Sequence, residues 1–271
     1  MPSGWRVVGD LTPLTEMLGL YRGLAARGQS GLTAHLALAK DWCENPRKLA
    51  VPFLLSVAQF SRYSNDQQSF HEDPLAPDHE ESDATRTADF ADWLKTSETW
   101  PVDKAPELAF RYVDRELDCM RTNPGVNLEN GKPSTKALLL DLLLANVTDG
   151  TPIVAELKIR KDKNPFYGLV QALAATAVLV TAAQRTRLRN VYGLDAALRI
   201  GGPYVDVYVI LFEPHAPREG TWLKILERSL ALADGLVAQP EVSALVRRIE
   251  FLYAERGHNG LTFSGASQLL Q

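Results

Sequence analysis

The sequence is poor in the residues that build disulfide frameworks and zinc sites. Of its 271 residues, only two are cysteine and five are histidine. Cys43 and Cys119 are not spaced as a zinc ligand pair or a redox motif, so we expect two free thiols in a reducing compartment. His71 and His79 lie in a polar, acidic segment, where the sequence does not indicate a metal site.

Motifs of several large enzyme classes are also absent. There is no G-x-S-x-G elbow, no G-x-x-x-x-G-K loop, no G-x-G-x-x-G fingerprint and no H-E-x-x-H helix motif. These absences argue against hydrolases with a nucleophile elbow, P-loop enzymes, dinucleotide-binding domains and zincins. Asp10 and Glu16 interrupt residues 1–20, so we expect no signal peptide, no membrane partner and a cytoplasmic location.

The formal net charge is small, −4, and does not by itself indicate a nucleic-acid-binding surface. The charge is unevenly distributed, however. Residues 66–103 contain eleven acidic residues against Arg86 and Lys95, whereas residues 158–200 carry a net charge of +6. We expect these basic residues to adjoin a candidate site at Asp141, Glu156 and Lys158 and to neutralise phosphates there. The alternative is that they form a solvated helix end.

Two apolar segments on either side of a turn signal are the most informative feature of the chain. Residues 137–147 (ALLLDLLLANV) are almost wholly apolar except for Asp141, and residues 152–160 (PIVAELKIR) alternate in hydrophobicity. Both patterns predict strands, and Asp149-Gly150 between them predicts the turn of a hairpin.

A two-residue loop would determine which side chains meet. Counting outward from the turn, Leu143 lies opposite Glu156 and Asp141 lies opposite Lys158, so both carboxylates and the ammonium share one face. Two explanations are then open. Asp141 and Lys158 form a structural ion pair that compensates a charge in an apolar strand, or the carboxylates hold a cation beside the ammonium.

Asp141, followed by Glu156-Leu157-Lys158 and by a helix that carries Gln171, resembles the PD-(D/E)XK nuclease superfamily. The resemblance covers residues 105–213 and departs from the pattern at Leu140, where the superfamily has proline. It implies an α/β, restriction-endonuclease-like core. That core has a helix, a three-stranded antiparallel start, a second helix and a further strand, in a mixed central sheet flanked by helices.

The resemblance also implies a function. A member of this superfamily would be a metal-dependent nuclease that hydrolyses phosphodiester bonds, with DNA favoured over RNA, in DNA repair, restriction or defence. Asp141, Glu156 and the Leu157 carbonyl would hold Mg²⁺ or Mn²⁺, which prefer such oxygen ligands. Lys158 would orient the attacking water or neutralise charge on the phosphate. The alternative is a catalytically silent fold that binds nucleic acid or protein, and superfamily members often form homodimers.

A third catalytic carboxylate is expected from the segment before the first core strand. Residues 105–121 (APELAFRYVDRELDCMR) predict a helix, because Pro106 suits a first helical turn and apolar residues recur at helical spacing. Glu116 falls within the apolar stripe and is the favoured ligand. Glu107, at the predicted helix N-terminus, is the alternative.

The segment after the second strand is basic and precedes an apolar helix. Arg160, Lys161 and Lys163 are expected to contact nucleic-acid phosphates. The helix is predicted over residues 166–184 and should be buried against the sheet, because it is apolar nearly all round. Gln171, one turn into this helix, is expected either in the site or on the surface.

The remaining patterns divide the chain in two. We assign residues 1–104 to a largely helical N-terminal region with an acidic loop at about residues 65–103, and residues 105–271 to the nuclease-like domain. Further helices are predicted over residues 13–26, 32–44, 48–63 and 220–237, with a short docked helix at Phe90, Trp93 and Leu94. Further strands are predicted over residues 5–8 and 205–212, residues 249–254 are expected to be a strand or the end of a helix, and the tail from Gly257 is expected to be loosely ordered.

Overall fold

The computed structural model describes the helical residues Met17, Leu20 and Leu24 and residues 32–63, 87–118, 128–129, 132–133, 139–159, 164–212, 220–258 and 260–271. The helices are α1 (Leu32–Glu44), α2 (Arg47–Tyr63), α3 (Thr87–Leu94), α4 (Pro165–Leu179), α5 (Ala182–Tyr192), α6 (Thr221–Val237) and α7 (Pro240–Ser243). The strands are β1 (Val102–Asp103), β2 (Phe110–Asp118), β3 (Leu128–Glu129), β4 (Lys132–Pro133), β5 (Leu139–Asn146), β6 (Pro152–Ile159), β7 (Val205–Phe212), β8 (Val246–Gly257) and β9 (Gly260–Gly265).

The chain has an α/β fold built on a mixed, curled sheet of seven strands in the order β1-β9-β8-β7-β6-β5-β2. β2, β5 and β6 are antiparallel neighbours, whereas β6, β7 and β8 run parallel to one another. β9 returns antiparallel to β8 and pairs in parallel with β1. The parallel strands are joined by helices, α4 and α5 between β6 and β7, and α6 and α7 between β7 and β8.

The curled sheet is closed by a short backbone contact between its two edges. Val102 pairs with Phe263 of β9, and Trp100 exchanges two backbone hydrogen bonds of 2.7 and 3.0 Å with Phe110 of β2. Aromatic rings fill the concave interior, with Phe110 and Phe263 4.9 Å apart and Trp100 and Phe263 5.7 Å apart. The interior of the curl is therefore a packed core.

Helices cover the outer face of the sheet. α4 is buried on nearly all sides, as its composition predicts, and α1 and α2 pack on α6 and α4. The helix predicted over residues 166–184 is interrupted, because Thr181 adopts an extended conformation. The chain bends by 89° between α4 and α5. No single helix among the described residues is both long and apolar enough to cross a membrane.

Many sequence predictions for the elements are confirmed. α1 and β7 have the predicted bounds, α2 and α6 differ from theirs by one residue, and residues 249–254, predicted as a strand or a helix end, are the centre of β8. α3 is the expected short helix, and it buries Phe90 and Leu94 against the sheet interior. The strand predicted at residues 5–8 and most of the helix at 13–26 lie outside the described residues, as does much of the acidic loop.

Two predictions are wrong. Residues 105–118, the described part of the predicted helix, do not form an α-helix, because a 3-10 turn (Pro106–Leu108) leads directly into β2. The tail from Gly257 is not loosely ordered, since β9 pairs with β8 and a 3-10 helix (Ala266–Leu270) follows it.

Candidate active site

The β5–β6 hairpin brings the predicted acidic residues together, with a longer turn than the sequence predicts. The Asn146 N–H donates to the Thr151 carbonyl at 2.9 Å, so four residues form the loop where we predicted two. Asn146 Oδ1 also accepts the backbone N–H groups of Thr148 and Asp149. The two extra loop residues shift the pairing of β5 with β6 by two positions from the predicted pairing. Because side chains alternate between the faces of a strand, a shift by two leaves each side chain on its predicted face.

The observed register pairs the two carboxylates. Leu143 lies opposite Val154 and Leu142 opposite Ala155, so the next position places Asp141 against Glu156 and not against Lys158 as predicted. The Leu157 N–H donates to Asp141 Oδ2 at 2.9 Å, which holds the Asp141 carboxylate against β6. Asp141 is half-buried, whereas Glu156 and Lys158 are buried.

Lys158 lies between two oxygen acceptors. Its Nζ donates to Glu156 Oε1 at 3.0 Å and to Gln171 Oε1 at 2.9 Å. The ammonium also lies 4.9 Å from the centroid of the Tyr167 ring. Glu156 and Lys158 side chains are each 1% exposed, so the ion pair is almost completely removed from water.

The environment of Glu156 opposes its negative charge. Burial raises the pKa of this carboxyl well above its ordinary value, the neighbouring Asp141 carboxylate raises the pKa further, and the Lys158 ammonium lowers it. A hydrogen bond between the Glu156 and Asp141 carboxyls also favours the protonated form. Two neighbouring carboxyls, one of them buried, fit a divalent cation, which would take the place of the proton.

The donor set for such a cation is small. No group of three or more histidine, cysteine, aspartate or glutamate side chains suited to a metal occurs in the part of the chain that the structure describes. Asp141 and Glu156 would supply two oxygen ligands, with the Leu157 carbonyl predicted as a third. Mg²⁺ commonly binds to one or two carboxylates and keeps several waters.

Glu116 lies on a strand and not on the predicted helix. The pairs Arg115 with Leu142 and Leu117 with Leu140 place Glu116 across from Asp141 in the β2–β5 register. Its φ of 50° lies in the left-handed region, which costs a residue other than glycine about 1–3 kcal/mol. Glu107 lies in the 3-10 turn, and its backbone carbonyl accepts a hydrogen bond from Asn146 Nδ2, next to the β5–β6 turn. Glu116 is therefore closer to Asp141 than Glu107 is, and it is the better candidate for the third carboxylate.

The basic residues fall into two groups. Arg160, Lys161 and Lys163, predicted to contact nucleic acid, lie outside the described residues. Arg199 pairs with Asp149 at the hairpin turn, and Glu156 of the site lies about 13 Å along β6 from the start of that strand. Arg199 therefore lies at the turn and not beside the two carboxylates, and for the other arginines of residues 158–200 the expectation that they adjoin the site stays a prediction.

Sequence reasoning missed the residues that surround Lys158 from α4 and α1. Asn164 caps α4 by accepting the Tyr167 N–H at 3.1 Å, and Asn164 Nδ2 donates to Nδ1 of His35. Tyr167 and Gly168 contact the Lys158 side chain directly. Asn164-Pro165 is a recognisable helix start, and it is the signal that could have drawn attention to the first turn of α4.

No protein-family model, curated protein or solved structure matches this chain. A functional assignment therefore depends on the geometry and chemistry of the residues described above.

Proposed function

We propose that this protein is a Mg²⁺- or Mn²⁺-dependent nuclease that hydrolyses phosphodiester bonds in DNA. The observation that carries the proposal is the buried Glu156, which has the Asp141 carboxylate on one side and the Lys158 ammonium on the other. A structural ion pair requires only one carboxylate for one ammonium. A cation that replaced the proton of Glu156 would be held by both carboxylates.

The order of the elements supports a restriction-endonuclease-like core. β2, β5 and β6 are antiparallel, α4 follows β6, and β7 lies parallel to β6. PD-(D/E)XK nucleases share this sequence of three strands, a helix and a further strand. The third antiparallel strand is β2, which takes the place of the helix predicted over residues 105–121.

The chain's own residues suit hydrolysis of a phosphodiester. Asp141 and Glu156 would hold a divalent cation, which would supply a water of lowered pKa and offset charge on the phosphate oxygens. Lys158 presents a positive charge where negative charge builds up during attack, and its buried position strengthens that interaction. Gln171 accepts from Lys158 and fixes the direction of the ammonium.

A binding module without catalysis is the second candidate. The observation that favours it is the burial of Glu156 and Lys158, which removes the central groups of the site from solvent. In that case the pair would stabilise the junction between β6 and α4, and nucleic-acid binding would depend on other residues.

Cleavage assays distinguish the two candidates. Linear, circular and single-stranded DNA are incubated with Mg²⁺ or Mn²⁺ and with the parent, Asp141→Ala, Glu156→Ala or Lys158→Ala. We expect cleavage by the parent and a loss of about a hundredfold or more in each variant, because each removes part of the charge stabilisation. DNA binding, measured by fluorescence anisotropy without metal, should be largely retained.

Lys48→Ala provides the matched control, since Lys48 pairs with Asp41 on the surface at 2.7 Å. This variant should cleave like the parent. Equal cleavage by all variants and the parent would contradict the proposal. Salt-sensitive DNA binding without cleavage by the parent would favour the binding module.

A further inference from the structure

Lys158 reaches its place by passing beneath the first two turns of α4. Gly168 makes this passage possible. A Cβ atom at Gly168 would lie 3.0 Å from Cε and 3.2 Å from Cγ of Lys158, and 2.9 Å from Cγ1 of Val209. These distances are shorter than ordinary carbon contacts, so only glycine leaves room here for the lysine stem.

Tyr167 and Gln171 hold the end of that stem. They lie one helical turn apart on α4, so both side chains point from the same face of the helix. Gln171 accepts a hydrogen bond from Nζ, and the Tyr167 ring lies 4.9 Å from Nζ. An aromatic face attracts a cation most strongly where water is excluded, as it is around this ammonium.

Tyr167 is itself fixed from behind. The His35 ring stacks on it with an interplanar angle of 16° and a centroid separation of 6.4 Å. His35 is buried on α1 and accepts a hydrogen bond from Asn164, the residue that caps α4. The position of the Tyr167 ring is therefore determined by two helices and a helix cap.

We propose that Tyr167 is a positioning residue, whose ring holds the Lys158 ammonium between Glu156 and Gln171 in the orientation that hydrolysis requires. The proposal rests on the proposed nuclease function. A lysine side chain has several rotatable bonds, and a displacement of about 1 Å at a catalytic group can lower a rate by about a hundredfold. Tyr167 acts through Lys158 and needs no contact with substrate.

The test compares Tyr167→Phe with Tyr167→Leu in steady-state cleavage of a DNA duplex with Mg²⁺. The phenylalanine ring retains the interaction with the ammonium, so we expect its kcat to stay within about threefold of the parent value. Leucine removes the ring, and we expect kcat to fall by about tenfold while KM is unchanged. Tyr192→Leu removes a tyrosine that bonds Asp114 on β2, and it is the matched control for loss of a half-buried ring.

A double-mutant cycle in urea tests the same contact without activity. The parent, Tyr167→Leu, Lys158→Met and the double variant are unfolded, and we expect Tyr167 and Lys158 to be coupled by about threefold or more in the unfolding equilibrium constant. Additive effects of the two substitutions would overturn the proposal. So would parent-like kcat in Tyr167→Leu, or an equal loss in Tyr167→Phe and Tyr167→Leu.

The outcomes separate the two proposals. If the parent cleaves DNA and Tyr167→Leu cleaves equally well, only the role of Tyr167 is contradicted. If the parent does not cleave DNA under any metal condition, the nuclease function is contradicted, and with it a positioning role in hydrolysis.

Discussion

At Glu156, burial and the Asp141 carboxylate both favour the neutral acid, whereas the Lys158 ammonium favours the charged form. Such a carboxyl keeps its proton in the folded, metal-free chain at pH values where the unfolded chain has released it. Stability from this group is therefore present at low pH and declines as the pH rises above the unfolded pKa of about 4.3. A bound cation would replace the proton and remove this decline.

A proton and a divalent cation would compete for the Glu156 carboxylate. The stabilisation of the parent by Mn²⁺ should increase as the pH is raised from about 5 to 8, because the cation binds the deprotonated carboxyl. Differential scanning calorimetry at a fixed Mn²⁺ concentration measures the rise in Tm. Glu156→Gln should lose most of the Mn²⁺ effect, and a Tm shift that is the same at every pH would contradict the account.

The residues with charge were predictable, and those that position them were not. The sequence shows Asp141 within an apolar strand, and Glu156 and Lys158 two residues apart in the next strand. Charged groups in apolar surroundings require compensation, so these residues indicated a site. Tyr167 and Gly168 have no such feature. Their contacts with Lys158 depend on the approach of α4 to β6, which local sequence does not determine.

Among the elements, α4 depends most closely on a single small residue. Gly168→Ala should lower the free energy of unfolding by about 1–3 kcal/mol, because the added methyl group would overlap Val209 and the Lys158 stem. Urea unfolding measures this change. Combining it with Lys158→Ala removes two of the three short contacts and should restore part of the loss. An unchanged free energy of unfolding in Gly168→Ala would contradict the close packing.

The β5–β6 turn is held by charges. Burial alone would raise the pKa of Asp149, but hydrogen bonds from Thr151 and pairing with Arg199 and Arg247 lower it below its usual range. A lowered pKa gives stability that is present above the unfolded value of about 3.9 and is lost as the pH falls through the folded value.

Asp149→Asn tests this element. The variant should lose about 1–2 kcal/mol of unfolding free energy at pH 7, and the difference from the parent should shrink as the pH falls below about 4. Chemical unfolding at several pH values measures both effects. Asp195→Asn is the control, because Asp195 is 86% exposed in its pair with Arg189 and should contribute little. A difference that is constant with pH would contradict a role for the Asp149 charge.

β2 illustrates why one element was mistaken for a helix. A strand with one buried face has apolar residues at every second position, but β2 packs apolar residues on both of its faces. Phe110 and Tyr112 pack into the sheet interior, whereas Val113 and Leu117 pack with the core on the helical side. Apolar residues on both faces of a strand produce spacing similar to that of a helix, and periodicity alone cannot separate the two. β5, β6 and β7 are strands where the sequence predicts them, although the turn between β5 and β6 is longer than predicted.

For the whole molecule, closure of the curled sheet depends on aromatic packing that joins distant parts of the chain. Phe263 of β9 contacts Phe110 and Trp100 across the interior and is 3% exposed. Phe263→Ala should lower the free energy of unfolding by about 3–5 kcal/mol. Ile200→Ala is the control, because Ile200 is fully exposed and its truncation should have no measurable effect. A loss below about 1 kcal/mol in Phe263→Ala would contradict this closure.

The location of a Mn²⁺ ion is the measurement that tests the central claim most directly. Crystals of the protein grown with Mn²⁺ are examined by anomalous diffraction, which identifies the cation independently of activity. The account predicts a peak within coordinating distance, about 2.1 Å, of carboxylate oxygens of both Asp141 and Glu156. The absence of an anomalous peak at these carboxylates at saturating Mn²⁺ would contradict the account. A peak found only elsewhere in the chain would also contradict it.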